Sequence, residues 1–280
     1  MNALLVRWFD HYLKGVNNGI DREPAVNLFV MIPPNTGTTG SGFWITADEF
    51  PLPGTEMMKF NLRSHGHANT RLGDGVLDAD SRSQGPDDNF VYDPSNPVPT
   101  LGGDMCCINA LLPSGAFDQA TIEMRDDVLV YTSVPLTHDL AVVGPVKVKF
   151  WAKTSARDTD FTAKFVDVHP DGFAQNVLDR IVRARYRLGS NLPPSFIQPE
   201  KPYEYTIDLG NTAIVLKAGH RIRLEISSSN FPHYARNLNT GSGFADDANI
   251  VIARQTIMHN PGHPSYIELP IAPGVTIPKP

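Results

Sequence analysis

The chain after about Phe60 consists of short β-type runs with no long helical period between them, and this feature constrains the fold most. The runs alternate apolar and polar residues or are rich in β-branched residues. Turn sequences separate them, among them Pro170–Gly172 and Ala218–His220. Strands in regular succession without intervening helices are typical of antiparallel sandwiches and jelly rolls. We therefore expect a mainly β, jelly-roll sandwich over residues 60–280.

An apolar helix is predicted at the N-terminus, and Gly15 is a suitable C-cap for it. Apolar residues recur there at helical spacing: Leu4, Leu5, Trp8, Phe9, Tyr12 and Leu13. An arginine and a histidine stand where a signal peptide needs its apolar stretch, so we do not expect a signal peptide. A helix with so broad an apolar face needs another surface to pack against.

Residues 23–59 are expected to connect this helix, within residues 1–22, to the sandwich. Glu23–Ile32 has the pattern of a strand, and a loop rich in Gly, Thr and Pro follows it. The next stretch, FWITADEFPLPG from Phe43, has the composition of a linker anchored by aromatic residues.

Composition narrows the possible partners and locations. A net charge of −6 argues against a nucleic-acid partner held by phosphate neutralisation. The basic run Arg183, Arg185, Arg187 is expected to form a solvated or ion-paired strand face. No run reaches the ~18 apolar residues of a membrane span, so no membrane partner is expected and a cytoplasmic location is favoured.

Nucleophilic chemistry has little support in the motifs. The elbow G-x-S-x-G does not occur, and Ser41 and Ser242, each in TGSGF, fail at the flanking positions. The cysteines are the neighbours Cys106 and Cys107, which cannot close a disulfide framework or form a Cys-based zinc cluster. No local context marks either cysteine as an activated thiolate.

The stretch DTDFTAKFVDVHPDG, residues 158–172, has residue types that suit a metal site, half of a catalytic relay, or a strand with a turn. Asp167 and His169 share a strand face with Phe161 and Phe165. A turn follows at once, so we expect the two polar side chains to meet solvent or cap the loop. With no nucleophile in the motifs, we interpret the stretch as structural.

A second metal candidate is weaker. His65 and His67 in SHGHAN would share a strand face if that segment is extended. Transition-metal sites normally need three or four ligands, so we expect a polar loop there, and no metal or cofactor is predicted for the chain.

Several motifs together resemble one family. TSARDTDFTAKFVDVHPDG, RARYR, AGHRIRLEISSSNFPHYARNLNTG and HPSYIELPI, with YDPSNPVPTLGG, FDQATIEMRDDVLVYTS and RWFDHYLKG, occur in order from about Arg7 to Ile271. The chain resembles the C-terminal, galactose-binding-like jelly-roll domain of the X-Pro dipeptidyl-peptidase and cocaine-esterase family of serine hydrolases, which includes the α-amino-acid ester hydrolases. One departure is visible: Arg180 follows Asp179 where the family usually has Asp-Gly, which puts a tight turn there in doubt.

The resemblance implies that the catalytic Ser, Asp and His belong to a preceding α/β-hydrolase domain, and that residues 1–22 are that domain's last helix. The helix face would be the domain interface, through Leu5, Trp8, Phe9 and Tyr12. The loop after the P-V-P-T-x-G-G motif would line the acyl pocket, through Met105, Cys106, Cys107 and Ile108. The alternative is that both cysteines lie in the sandwich core.

Two functions are open. In the first, the chain is the non-catalytic C-terminal part of a serine hydrolase that cleaves esters or N-terminal X-Pro dipeptides, inactive alone and able to self-associate. In the second, it is a free-standing module that binds carbohydrate or another ligand. Such modules normally expose aromatic platforms, and Trp8, Trp44 and Trp151 are expected in a helix, a linker and a core strand, which favours the first.

Overall fold

The computed structural model describes residues 2–33, 41–79, 85–104, 113–243 and 248–278. Within these ranges the chain forms one α-helix, α1 (Asn2–Lys14). It is followed by β1 (Val26–Ile32), β2 (Ser41–Ala47), β3 (Glu56–Arg63), β4 (Val76–Asp78), β5 (Asp88–Tyr92), β6 (Leu129–Thr132), β7 (Leu140–Thr154), β8 (Asp160–Val168), β9 (Ala174–Arg183), β10 (Tyr203–Leu216), β11 (Arg221–Ser227), β12 (Ala253–Met258) and β13 (Tyr266–Ile271). Short 3₁₀ helices lie at Ile20–Arg22, Gln119–Met124 and Ala184–Tyr186.

The strands form one continuous, mostly antiparallel sheet in the order β2-β1-β10-β7-β13-β3-β4-β6-β11-β8-β9, and β12 joins β5 to β7. Two contacts in the described sheet are parallel, β1 with β10 at Met31–Ile214 and β4 with β6 at Val76–Thr132. The strands at 26–32 and 41–47 therefore extend the same sheet as the later strands.

The sheet folds back on itself and encloses the core between two layers. Phe150 on β7 and Tyr205 on β10 are direct cross-strand neighbours. Phe161 on β8 belongs to a distant part of the strand order, yet its ring centroid lies 5.5 Å from that of Phe150 and 4.9 Å from that of Tyr205. The predicted mainly β sandwich with one N-terminal helix is thus confirmed.

Helix α1 ends as its sequence predicts. Gly15 has φ +71°, and the backbone N–H groups of Gly15 and Val16 donate to the carbonyls of His11 and Asp10. A residue in the left-handed region closes a helix in this way at least strain when it is glycine. No helix in the described ranges is long and apolar enough to cross a bilayer.

The predicted linker from Phe43 is wrong at its beginning. Phe43 to Ala47 lie in β2, which pairs with β1 along its whole length and is an outer strand of the sheet. Trp44 is 67% exposed there and packs against the ring of Phe29 at 5.3 Å. Local composition concealed the strand because proline and acidic residues follow it directly.

Arg183 and Arg185 of the basic run are ion-paired, as one of the predicted alternatives had it, whereas Arg187 donates to the backbone carbonyls of Ala184 and Ser195, and the run is not a strand throughout. Strand β9 ends at Arg183, and a 3₁₀ turn follows at residues 184–186. Arg183 pairs with Asp160 at 2.9 Å, and Arg185 pairs with Asp158 at 2.7 Å. Because both carboxylates are buried, these arginines face inward and neutralise them.

Candidate functional site

The loop that follows the P-V-P-T-x-G-G motif closes at a narrow neck. Gly103 and Gly115 exchange two backbone hydrogen bonds of 2.8 Å, so the chain on the two sides of the loop meets at one point. Met105, Cys106, Cys107 and Ile108, the predicted pocket residues, stand between these glycines in the sequence and lie outside the described residues.

Both glycines of the motif are required by close approach. Gly102 has φ +72°, and a Cβ there would lie 2.5 Å from the carbonyl oxygen of Gly115. Gly103 has φ +107°, and its Cβ would lie 2.9 Å from a carboxylate oxygen of Asp179. Side chains at either position would push the neck apart, because L-residues avoid this backbone region and the neighbouring atoms leave no space.

A charged cluster fixes the first residue of the loop. Asp104 forms a 2.7 Å ion pair with Arg180 on β9 through one carboxylate oxygen. The ring of His233 lies 3.7 Å from the other carboxylate oxygen of Asp104. His233 also lies 3.3 Å from Asp179, which accepts a hydrogen bond from the hydroxyl of Tyr234. Sequence reasoning missed this cluster, since its members are far apart in the chain.

Strand β9 runs through Asp179 and Arg180 without a turn. The two residues pair in register with Lys164 and Ala163 of β8. The departure from the family's Asp-Gly therefore removes no turn; it supplies the cation that holds Asp104.

A cavity of about 460 Å³ opens beside the neck. Its lining includes Phe29, Met31, Asn176, Val177 and Ile214. A space of this size with mostly apolar walls and few polar groups has the character of small-ligand sites.

The apolar residues of α1 remain uncovered. Leu5, Trp8, Phe9 and Tyr12, the predicted interface residues, are each about half exposed (48–55%). The helix is tied to the following segment by an Arg7–Glu23 ion pair of 2.6 Å. The face is thus an exposed apolar patch, a feature that is common at interaction surfaces.

A buried group at Ser64 contains serine, histidine and aspartate but cannot act as a catalytic relay. Ser64 Oγ lies 3.1 Å from His259 Nε2 and donates to Asp88 Oδ2 at 2.7 Å. His259 Nε2 also contacts Asp88 Oδ2, at 2.7 Å. A relay needs the serine and the carboxylate on opposite ring nitrogens, whereas here they share one. With Tyr131 and the Ala68 N–H also donating to Asp88, the group is a structural network centred on this carboxylate.

The interpretation of residues 158–172 as structural needs one correction. Asp167 and His169 do not meet solvent: they are 0% and 5% exposed. His220, at the start of β11, joins them, and its Nδ1 lies 2.9 and 3.0 Å from the two oxygens of Asp167. Burial alone would raise the pKa of Asp167, but the imidazoles of His169 and His220 outweigh it and hold that pKa below its ordinary value.

His65 and His67 lie in a polar loop, as expected, and not on a strand face. Strand β3 ends at Arg63, and the backbone N–H groups of His65 and His67 donate to the two oxygens of Asp74. In the described ranges, the group of three or more convergent metal-ligand atoms is instead the one at Asp167, His169 and His220.

A second buried charge pair joins β8 to β11. Lys164 Nζ lies 3.3 Å from Glu225 Oε2 and donates to Gln119 at 2.6 Å. Burial, with the nearby carboxylate of Glu123, raises the pKa of Glu225 to about 7, although Lys164 and Arg223 oppose that shift.

The raised pKa of Glu225 predicts a pH-dependent stability. A carboxyl whose pKa is higher in the folded state stabilises the fold fully below its unfolded value of 4.5, and this contribution is lost as pH rises through about 7. Glu225→Gln should therefore reduce the fall in unfolding free energy between pH 5 and pH 8 by about 2–3 kcal/mol. Urea unfolding at pH 5 and pH 8 measures this change in the unfolding free energy. The control is Glu204→Gln, in the half-exposed Lys149–Glu204 pair. Equal pH dependence in wild type and Glu225→Gln would contradict the prediction.

Comparisons with known proteins agree with the motifs. The family model described as "X-Pro dipeptidyl-peptidase C-terminal non-catalytic domain" matches residues 18–268. Cocaine esterase of Rhodococcus sp. (strain MB1 Bresler) is 41% identical over 266 residues, which cover 94% of this chain and 44% of the esterase. The chain thus spans less than half the length of this relative.

Solved structures give the same result. An aminopeptidase from a marine sediment archaeon, Thaumarchaeota archaeon, superposes with a TM-score of 0.76 at 27% identity, over 96% of this chain and 43% of that one. An α-amino acid ester hydrolase superposes with a TM-score of 0.69 at 25% identity, over 82% and 39%. With its family model matched over most of its length, the chain belongs to the family of X-Pro dipeptidyl-peptidase C-terminal non-catalytic domains, found in cocaine-esterase-like hydrolases.

Proposed function

We propose that this chain is the non-catalytic C-terminal part of a serine hydrolase that cleaves acyl esters or N-terminal X-Pro dipeptides. In this proposal it covers the active site of an α/β-hydrolase domain and lines the acyl pocket with its Met105–Ile108 loop. The observation that carries the proposal is the exposed apolar face of α1 in a chain that matches 44% of a cocaine esterase.

The division of the chain follows from this. Residues 1–22 would be the last helix of the hydrolase domain and residues 60–280 the covering domain, while residues 23–59, expected as a connection, add β1, β2 and the start of β3 to the sheet of that covering domain. Burying four aromatic and aliphatic side chains that are now half exposed would stabilise docking by about 1 kcal/mol or more each. The exposed Phe29–Trp44 pair on β1 and β2 adds apolar surface. Without the catalytic domain, the same surface would favour self-association.

The loop proposal rests on how its ends are held. Two contacts hold the ends of the loop on the sandwich: the Gly103–Gly115 backbone pair and the Asp104–Arg180 ion pair. A loop anchored this firmly can present Cys106 and Cys107 to a partner domain at a defined position. Both side chains are small and polarisable, which suits contact with an acyl group.

Replacing Cys107 by Trp tests the pocket. In a chimaera that joins this chain to the part of the Rhodococcus cocaine esterase that it does not match, Cys107→Trp should lower kcat/KM for bulky acyl esters relative to acetyl esters. A misfit in such a pocket changes the ratio by ~1–3 kcal/mol, or roughly 10–200-fold. The control is Cys107→Ser, which keeps the volume. Equal losses on p-nitrophenyl acetate and a bulky benzoyl ester would show that the loop does not contact the acyl group.

One observation favours the alternative of a free-standing ligand-binding module. Trp44 is 67% exposed on an outer strand, contrary to its expected place in a linker, and exposed aromatics on sandwiches can stack on sugars. Binding of a soluble polysaccharide that Trp44→Ala abolishes would favour this function. A domain-docking role instead predicts that Trp44→Ala weakens only the association with a hydrolase domain.

A further inference from the structure

The fold assembles two histidines and an aspartate at one buried point that no function described above uses. Asp167 is the last residue but one of β8, His169 follows the strand directly, and His220 arrives from the turn before β11. All three side chains are at least nine-tenths buried. His169 Nε2 has no hydrogen-bond partner and lies 3.5 Å from Asp167 Oδ2. A buried nitrogen without a partner is costly and calls for an explanation.

The spacing of the three ligand atoms matches what one small cation requires. With metal–ligand bonds of about 2.0–2.1 Å, neighbouring ligands of a tetrahedral ion are separated by roughly 3.3 Å. Here Asp167 Oδ2 lies 3.0 Å from His220 Nδ1 and 3.5 Å from His169 Nε2. All ligand atoms of the group fall within 4.8 Å of one another. Both distances from Asp167 Oδ2 therefore lie within a few tenths of an ångström of the separation that a tetrahedral ion requires.

We propose that Asp167, His169 and His220 bind a divalent transition-metal ion of the zinc class. Two imidazoles and one carboxylate suit Zn²⁺ or Co²⁺, whereas Mg²⁺ and Ca²⁺ prefer oxygen ligands. His169 contributes Nε2, His220 contributes Nδ1, and the described residues supply three ligands, so water takes the fourth corner. The proton between His220 Nδ1 and Asp167 is released when the ion binds.

The ion would join the end of β8 to the start of β11. These strands already pair, with Val168 opposite Arg221 and Asp167 opposite Ile222. The metal adds a cross-link at the end of this ladder, between Asp167 within it and His169 and His220 just beyond its last pair, where the turns at residues 170–172 and 218–219 leave the sheet. The site is structural and independent of whether the chain docks on a hydrolase domain.

The test is a metal titration of the chain after chelator treatment. Zn²⁺ should bind at one equivalent and raise Tm by about 5 °C at a hundredfold excess over Kd. Co²⁺ should give the visible absorption of a tetrahedral site, and Mg²⁺ and Ca²⁺ should change neither reading. Absence of a Zn²⁺ shift and of a Co²⁺ spectrum would overturn the proposal.

Variants locate the site. His169→Gln removes one of the three ligands and should weaken Zn²⁺ binding by about 100-fold or more, with its own metal-free Tm as the baseline from which its Zn²⁺ shift is measured. The matched control is the double variant His65→Gln/His67→Gln, which removes two exposed imidazoles and should bind Zn²⁺ as wild type does. Undiminished binding by His169→Gln, or loss of binding in the control, would contradict the assignment.

A second measurement covers the case in which His169→Gln does not fold. Imidazole ¹⁵N spectra of the wild-type chain should show two histidines changing on Zn²⁺ addition, one through Nε2 and one through Nδ1. If the changes fall on exposed histidines, or on none, the proposed site is wrong.

Discussion

Phe161→Ala and Phe165→Ala should each lower the free energy of unfolding by about 3–5 kcal/mol, as loss of a buried aromatic ring in a core does. Both side chains are fully buried in the main core cluster. Phe161 contacts the rings of Phe150 and Tyr205 on the opposite layer, at 5.5 and 4.9 Å. Its removal leaves a cavity between two layers of a sheet that cannot close without moving several strands.

Urea unfolding followed by tryptophan fluorescence and circular dichroism measures this loss. Leu72→Ala is the control: Leu72 is 77% exposed in a surface turn, so its truncation should change the free energy by less than about 0.5 kcal/mol. A loss below 1 kcal/mol for both phenylalanine variants would mean that the layers do not pack around β8 as described.

The isolated chain should hydrolyse neither p-nitrophenyl acetate, p-nitrophenyl butyrate nor Gly-Pro-p-nitroanilide at an enzymatic rate. Serine catalysis needs a nucleophile, a base on the correct ring nitrogen, an orienting acid and an oxyanion hole. The sequence has no G-x-S-x-G elbow. The Ser64 group is buried, and its aspartate and serine share one nitrogen of His259. Saturable turnover, with stoichiometric fluorophosphonate labelling of any serine of this chain, would refute this expectation.

Adding a hydrolase portion should restore activity if the proposed docking is correct. We expect the unmatched part of the Rhodococcus cocaine esterase, expressed separately, to bind the chain and to gain esterase activity from it. Trp8→Asp, on the exposed face of α1, should abolish binding, while Leu72→Asp should leave it intact. The variant His169→Gln should keep the restored activity within a few-fold, and a thousandfold fall in kcat at unchanged stability would instead place His169 in the chemistry.

The sequence by itself predicted the succession of β-strands after residue 60, the terminal helix and the family, but it missed β2. Alternation assigned Phe161 and Phe165 to one face of β8, and both lie in the core. Helical spacing and Gly15 gave α1 and its end. These features depend on local periods and on backbone preferences, which neighbouring residues in the sequence specify directly.

Only the tertiary structure decided what covers the second face of β8. Its even-numbered residues are buried as well, because segments distant in the sequence pack over them: Gln119 accepts from Lys164, and Asn237 donates to Asp160. An alternating pattern predicts one buried face and one solvent-exposed face. It carries no information on loops, distant in the sequence, that pack over the predicted exposed face. The same reason explains Asp167 and His169. A strand end beside a turn predicts that the side chains of Asp167 and His169 are exposed. His220, 53 residues after Asp167, instead packs beside both and brings a third metal-ligand atom close to theirs.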